Sequence, residues 1–127
     1  MPSTLLWKNN NCIATYSGHL DMELVSEVIS QVLSNPKFEQ QQYQISDFSK
    51  VESTSLQELD IKMIGAMDRN ANRWNETLYC AYVINDRIQD LMDLYFKEMK
   101  ETDWVINVFY NLQDAKNWIA SHGFEVD

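Results

Sequence analysis

From Tyr79 onward the chain alternates two kinds of apolar pattern, and that alternation limits the folds open to it. Tyr79 to Ile84 is a compact apolar run of strand length. Ile88, Leu91, Met92, Tyr95, Phe96 and Met99 then repeat at the i, i+3, i+4, i+7, i+8 and i+11 positions of one helix face. Trp104 to Phe109 returns to a strand-like run, and Leu112, Ala115 and Ile119 make another helical stripe. A strand, a helix and a strand in succession form a crossover unit, which places the two strands parallel and side by side.

The first half extends the same grammar. Leu5 to Tyr16 reads as two short strands around a polar turn at Asn9-Asn10-Asn11, and Gly18 breaks the pattern. Asp21 is placed to cap a helix whose Leu24, Val25, Val28, Ile29 and Val32 face inward, and Asn35-Pro36 stops it. Gln40-Gln41-Gln42 is a polar linker. Tyr43 to Phe48 is the next strand; its polar members predict a sheet that is open on one side nearby, since a strand covered on both faces reads as a continuous apolar run. A second helix is predicted to begin at Ser53–Ser55, with Leu56, Leu59, Met63, Ile64 and Met67 on its inward side, and to fray by Asn70–Asn72. Tyr79 to Ile84 is the expected sheet centre. Asn85 or Asp86 caps the third helix, Asn111 caps the fourth, and Gly123 stops it. The fold class that follows is α/β: one domain over residues 1–127, with a mixed, mostly parallel sheet of about five strands and four main helices.

Composition narrows the function classes. A formal net charge of −9 repels phosphate backbones and anionic lipid surfaces, so neither nucleic acid nor a membrane surface is an expected partner. Cys12 and Cys80 belong to no CxxC or His-rich cluster, so no metal and no thioredoxin-type chemistry is expected, and two lone thiols suit a reducing cytoplasm. Leu5, Leu6 and Trp7 are too few for the apolar region of a signal peptide, and no apolar run approaches membrane-spanning length. A cytoplasmic protein is the expectation.

The segment from Asp47 to Leu56 carries the main functional expectation. Ser53, Thr54 and Ser55 sit where a helix is predicted to begin, beside unpaired backbone N–H groups and the positive end of the helix dipole. A phosphate added there meets donors already in place. A plain N-cap accounts for the same residues and is worth about 1 kcal/mol.

Asp47-Phe48-Ser49 and Val51-Glu52-Ser53-Thr54-Ser55-Leu56 resemble two motifs of STAS-type proteins, the SpoIIAA-like anti-sigma factor antagonists. Those motifs are an Asp-Leu-Ser-like turn and a Met/Val-Asp-Ser-Ser-Gly-Leu segment. Cys80-Ala81-Tyr82-Val83-Ile84 before a helix, Ile106-Asn107-Val108-Phe109, and Asp114-Ala115-Lys116-Asn117-Trp118 are similar to later segments of the SpoIIAA-like family. The resemblance implies a non-enzymatic binding and regulatory module of the bacterial cytoplasm. Its phosphorylated hydroxyl falls on Thr54, with Ser53 and Ser55 as neighbours, and its partner contacts fall on Asp47, Glu52 and Leu56. The partner is a protein, a second copy of the chain included. Two positions depart from the motif: Glu52 stands for Asp, and Ser55 for the Gly that lets another backbone approach closely.

The remaining candidates are weaker. Arg69, Arg73 and Trp74 could hold a small anion, although cations at a helix C-terminus also complement its dipole. Trp104, Trp118, Tyr95, Phe96, Met63, Met67, Met92 and Met99 could wall a cavity for a small apolar or lipid-like ligand, as in the CRAL-TRIO carriers grouped with this fold, although helical spacing makes most of them ordinary core. That carrier is the alternative function. His19 and His122 sit in no catalytic or metal-ligand spacing, and no GxGxxG, GxxxxGK[ST] or GxSxG motif occurs, so no catalytic residue and no cofactor is expected.

Overall fold

The computed structural model describes residues 2–126. Ser3–Lys8 (β1) pairs antiparallel with Asn11–Leu20 (β2) through a turn at Asn9-Asn10, where Asn9 takes the left-handed φ of 55° that Asn tolerates. Asp21 then caps Met22–Leu33 (α1): its Oδ1 accepts from the Leu24 N–H at 2.8 Å. Tyr43–Thr54 (β3), Tyr79–Val83 (β4) and Val105–Phe109 (β5) join β2 in parallel, in the sheet order β1-β2-β3-β4-β5. Between them run Glu58–Ala71 (α2) and Gln89–Glu98 (α3), and Leu112–Ser121 (α4) follows β5. The architecture is the α/β sheet with four helices expected from the pattern.

Topology decides which face each helix covers. Parallel strands laid down in sequential order by right-handed crossovers put every connecting helix on one side. Accordingly α1, α2 and α3 pack together over Cys12, Ala14 and Tyr16 of β2 and Cys80 of β4. Helix α4 follows β5 and joins no two strands of this sheet, so it can fold onto the other face, where Ala115 and Ile119 meet Tyr43, Ile45, Ala81 and Val83.

Several expectations need correction. Gly18 does not end its strand: at φ +74° it sits beside a register shift, and β2 continues to Leu20. Ser53–Ser55 do not begin α2. Strand β3 runs on through Thr54, and the helix starts at Glu58, where Gln57 and Asp60 form a reciprocal capping box. The sheet is not open at β3, which is covered on both faces; its polar Gln44 and Ser46 point beneath the helices instead of into water. The less covered part of the α4 face lies over β1, where Leu6 is exposed, because α4 packs chiefly on β3, β4 and β5. Finally, β4 is interior but one place off the centre, which β3 occupies.

Helix α2 also faces differently from its predicted stripe. Its buried residues are Ile61, Ile64, Gly65, Asp68 and Ala71, while Leu59 and Met63 point to solvent at 68% and 50% exposure. Two apolar stripes compete on this helix. The one that won contains an acid.

Candidate functional site

The hydroxyl corner is built by the last residues of β3 lying against the end of β2. The carbonyl of Leu20 accepts twice, from the Ser55 N–H at 3.1 Å and from Thr54 Oγ1 at 2.8 Å. Thr54 Oγ1 also accepts from the Leu56 N–H at 3.0 Å, so this hydroxyl turns the chain from strand toward helix. Ser53 and Ser55 flank it and are exposed. Their side chains meet one imidazole: Ser53 Oγ lies 2.7 Å from Nδ1 of His19, and Ser55 Oγ 3.3 Å from its Nε2. A serine beside a histidine invites comparison with a nucleophile and its base. In a hydrolytic triad, however, the second ring nitrogen is held by a carboxylate that orients the base. Here that nitrogen faces another hydroxyl.

The neighbouring candidates divide by burial. Asp47 is 6% exposed, and its Oδ1 accepts from both the Ser49 N–H at 3.0 Å and the Ser49 hydroxyl at 2.7 Å, so it shapes the strand from inside. Glu52 is exposed, and Leu56 is half-buried with its side chain in the wall of an internal cavity. Asn85, read from sequence only as a cap, ties the corner down. Its Oδ1 accepts from the Arg87 N–H, while its Nδ2 donates to the carbonyls of Ser49 at 3.2 Å and Val51 at 2.9 Å. No local signal marks this second role, because the acceptors lie more than thirty residues upstream.

A cavity of about 100 Å³ lies between the sheet and α1–α3. Most of its wall is aliphatic and aromatic, including Val28, Ile64, Met92 and Trp104. A polar strip crosses it. Tyr95 donates from its hydroxyl to Asp68 Oδ2 at 2.6 Å, and the Tyr82 hydroxyl lies 2.9 Å from that of Tyr95. With Asp68 ionised the single Tyr95 proton is committed to the carboxylate, so Tyr82 must donate to Tyr95. Burial pushes the Asp68 carboxyl up to about 6, against the Tyr95 hydrogen bond, which favours the charged form. Burial likewise drives the Tyr82 and Tyr95 hydroxyls and the Cys80 thiol well above their ordinary values, and Cys12 up to about 12.

The predicted aromatic and methionine wall is realised only in part. Tyr95, Met92 and Trp104 line the cavity, whereas Met63 faces solvent and Trp118 packs on the opposite sheet face. His122 sits at the end of α4 with its ring 4.7 Å from Tyr79 and 5.0 Å from Trp118. The anion candidate does not assemble. Arg69 Nη1 is 2.9 Å from both the carbonyl and the carboxylate of Glu98, and Trp74 instead lines a surface hollow with Leu33, Pro36 and Phe38. Among the described residues no three His, Cys, Asp or Glu side chains are grouped to hold a metal, and no helix is long and apolar enough to cross a membrane.

Solved structures share this arrangement along nearly the whole chain. An anti-sigma factor antagonist from Mycobacterium paratuberculosis superposes with a TM-score of 0.59 at 15% identity, covering 93% of this chain and 92% of that one. An uncharacterised protein with a SpoIIAA-like fold from Shewanella loihica gives 0.52 at 13% identity, over 91% and 90% of the two chains. No family model matches the sequence, and neither does any curated protein. The chain has the SpoIIAA-like α/β fold, the fold of anti-sigma factor antagonists.

Proposed function

We propose that this chain is a non-enzymatic protein-binding module of the cytoplasm, docking through the corner around Glu52–Leu56 together with the outer face of α2. The observation that carries the reading is the exposure of Leu59 and Met63, 68% and 50%, one helical turn apart immediately after the hydroxyl corner. Exposed apolar side chains grouped beside polar ones mark contact surfaces. The fold shared with an anti-sigma factor antagonist supports a protein as the partner, a second copy of the chain included.

Phosphate addition beside Thr54 is the proposed switch, with Ser53 and Ser55 as acceptors. Thr54 itself is the poorer one, because its hydroxyl proton is given to the Leu20 carbonyl and its oxygen holds the Leu56 N–H. Ser53 and Ser55 are exposed, and His19 between them can pair with a phosphate. Nearly two negative charges at this edge would change docking by charge and bulk without refolding the domain.

Affinity purification from the native host tests the reading, with phosphopeptides mapped over 53–55. The wild type should retain a partner that Leu59→Glu, Met63→Glu and Ser53→Asp each lose. Identical capture by all four proteins would overturn it.

A carrier of a small apolar ligand is the second reading, favoured by the cavity beneath α1–α3. An organic molecule released on denaturing the native protein would support it.

A further inference from the structure

We propose that the cavity between the sheet and α1–α3 binds a small, mostly apolar molecule with one hydrogen-bond-donating head, an amine or a hydroxyl, received by Asp68 Oδ1. The inference rests on the carrier reading and assigns its ligand class.

Asp68 lies on the inward stripe of α2 at 9% exposure and lines the cavity. One of its oxygens takes the Tyr95 hydroxyl; the other has no hydrogen-bond partner among the described residues. That oxygen stays open to a molecule of water's size, so a donor on a bound ligand can reach it and make a charge-assisted hydrogen bond. The cavity supplies no charged partner of its own. No Lys or Arg lines it, and the titratable groups that face Asp68 are Tyr16 from β2, Cys80 and Tyr82 from β4, and Tyr95 from α3. All four are neutral acids whose charged form is an anion, which burial disfavours, so none supplies a positive charge. The Tyr82→Tyr95→Asp68 chain points its protons toward the acid and so readies it as an acceptor.

Size limits the body of the ligand. An engineered apolar cavity of about 150 Å³ takes up benzene. A cavity of about 100 Å³ therefore suits one small ring or a short branched chain. Phe48, Leu56 and Leu91, all half-buried, lie in its wall toward the C-terminal end of the sheet, where open α/β folds admit ligands.

The test compares phenol with benzene by methyl NMR titration of the full chain at about pH 7.5, where Asp68 is ionised. Shifts should centre on Ile64, Val28 and Met92, and phenol should bind about tenfold tighter or more, the effect of one hydrogen bond to a charged group. The preference should collapse toward unity in Asp68→Asn, and in the wild type at about pH 5, where the carboxyl is protonated. Equal binding of the two probes, or a phenol preference that survives both changes, overturns the assignment to Asp68 and leaves the carrier reading standing. If neither probe shifts the cavity methyls, both fail.

Discussion

Tyr95 reaches 2.6 Å across the interior from α3 to the Asp68 carboxylate on α2, and this contact partly offsets the burial of an acid beneath the helices. The offset is incomplete, since the carboxyl still stands at about 6 against an ordinary 3.8. Below 3.8 the group is protonated in both folded and unfolded chains. Between 3.8 and about 6 the unfolded chain ionises while the folded one keeps its proton, so stability falls as pH rises, and above that window the loss is complete. Two pH units correspond to roughly 3 kcal/mol. Asp68→Asn should therefore stabilise the protein at neutral pH and flatten the part of its stability curve between 3.8 and about 6, measured by urea unfolding across pH. A variant that is less stable at pH 7 would contradict this account.

At Gly65 the backbone of α2 lies close against α3. A Cβ built there would stand 2.5 Å from Glu98 Cβ, an atom fixed to its backbone and unable to swing aside. In an open helix Gly→Ala gains about 1 kcal/mol. Here the sign should reverse. Gly65→Ala is expected to push the helices apart, lower the unfolding midpoint and weaken the neighbouring Arg69–Glu98 ion pair, now at 2.9 Å. Equal or higher thermal stability would show that the helices can separate freely.

Much of this architecture was legible because its signals are local. Asp21 and Asn111 cap their helices through their own side chains, and helical spacing picked out Val25, Val28 and Val32 as core. The strand-to-helix transition after β3 was misread because serine and threonine satisfy a strand edge as readily as a helix start. Thr54 spends its hydroxyl on Leu20, more than thirty residues away in sequence, and the true cap is a glutamine, an uncommon choice. Helix α2 was misread for a related reason. Leu59 and Met63 complete an apolar stripe as good as the real one, and the real one includes Asp68, whose burial depends on a tyrosine from another helix. Gln44 and Ser46 looked like an open face because, within β3, a polar residue turned toward a cavity is indistinguishable from one turned toward water.

Cys12 and Cys80 should be inert in the folded protein. Reaction with a disulfide reagent requires the thiolate. Burial raises Cys12 to about 12 and Cys80 well above its ordinary value, and both are almost wholly enclosed. Labelling with dithionitrobenzoate should be slow in buffer and rapid in denaturant, so the native rate reports opening of the helices from the sheet. Fast labelling of the folded chain would mean that the core opens far more readily than its packing implies.

Asn85 holds the end of β3 at a bulged stretch where the sheet ladder is irregular. Its amide serves the carbonyls of Ser49 and Val51 while its oxygen caps the turn into α3. Asn85→Ala removes all of these bonds at once, and the expected cost is about 1–3 kcal/mol. The loss should be local as well as global, with hydrogen exchange rising most around Ser49–Val51 and Arg87. Uniform protection would show that the strand holds its shape unaided.

Thr54 and Ser53 are adjacent yet should respond unequally to loss of the hydroxyl. Thr54→Val keeps the branched shape but strips the Leu20 carbonyl of one donor and leaves the Leu56 N–H without its acceptor, an expected loss of about 1–2 kcal/mol. Ser53→Ala gives up only an exposed contact with His19 and should fall within about 0.5 kcal/mol of wild type. The contrast separates the hydroxyl that shapes the corner from those free to be modified. If Ser53→Ala proved as costly as Thr54→Val in urea unfolding, the serine would be structural too, and the proposed switch would keep Ser55 as its one acceptor.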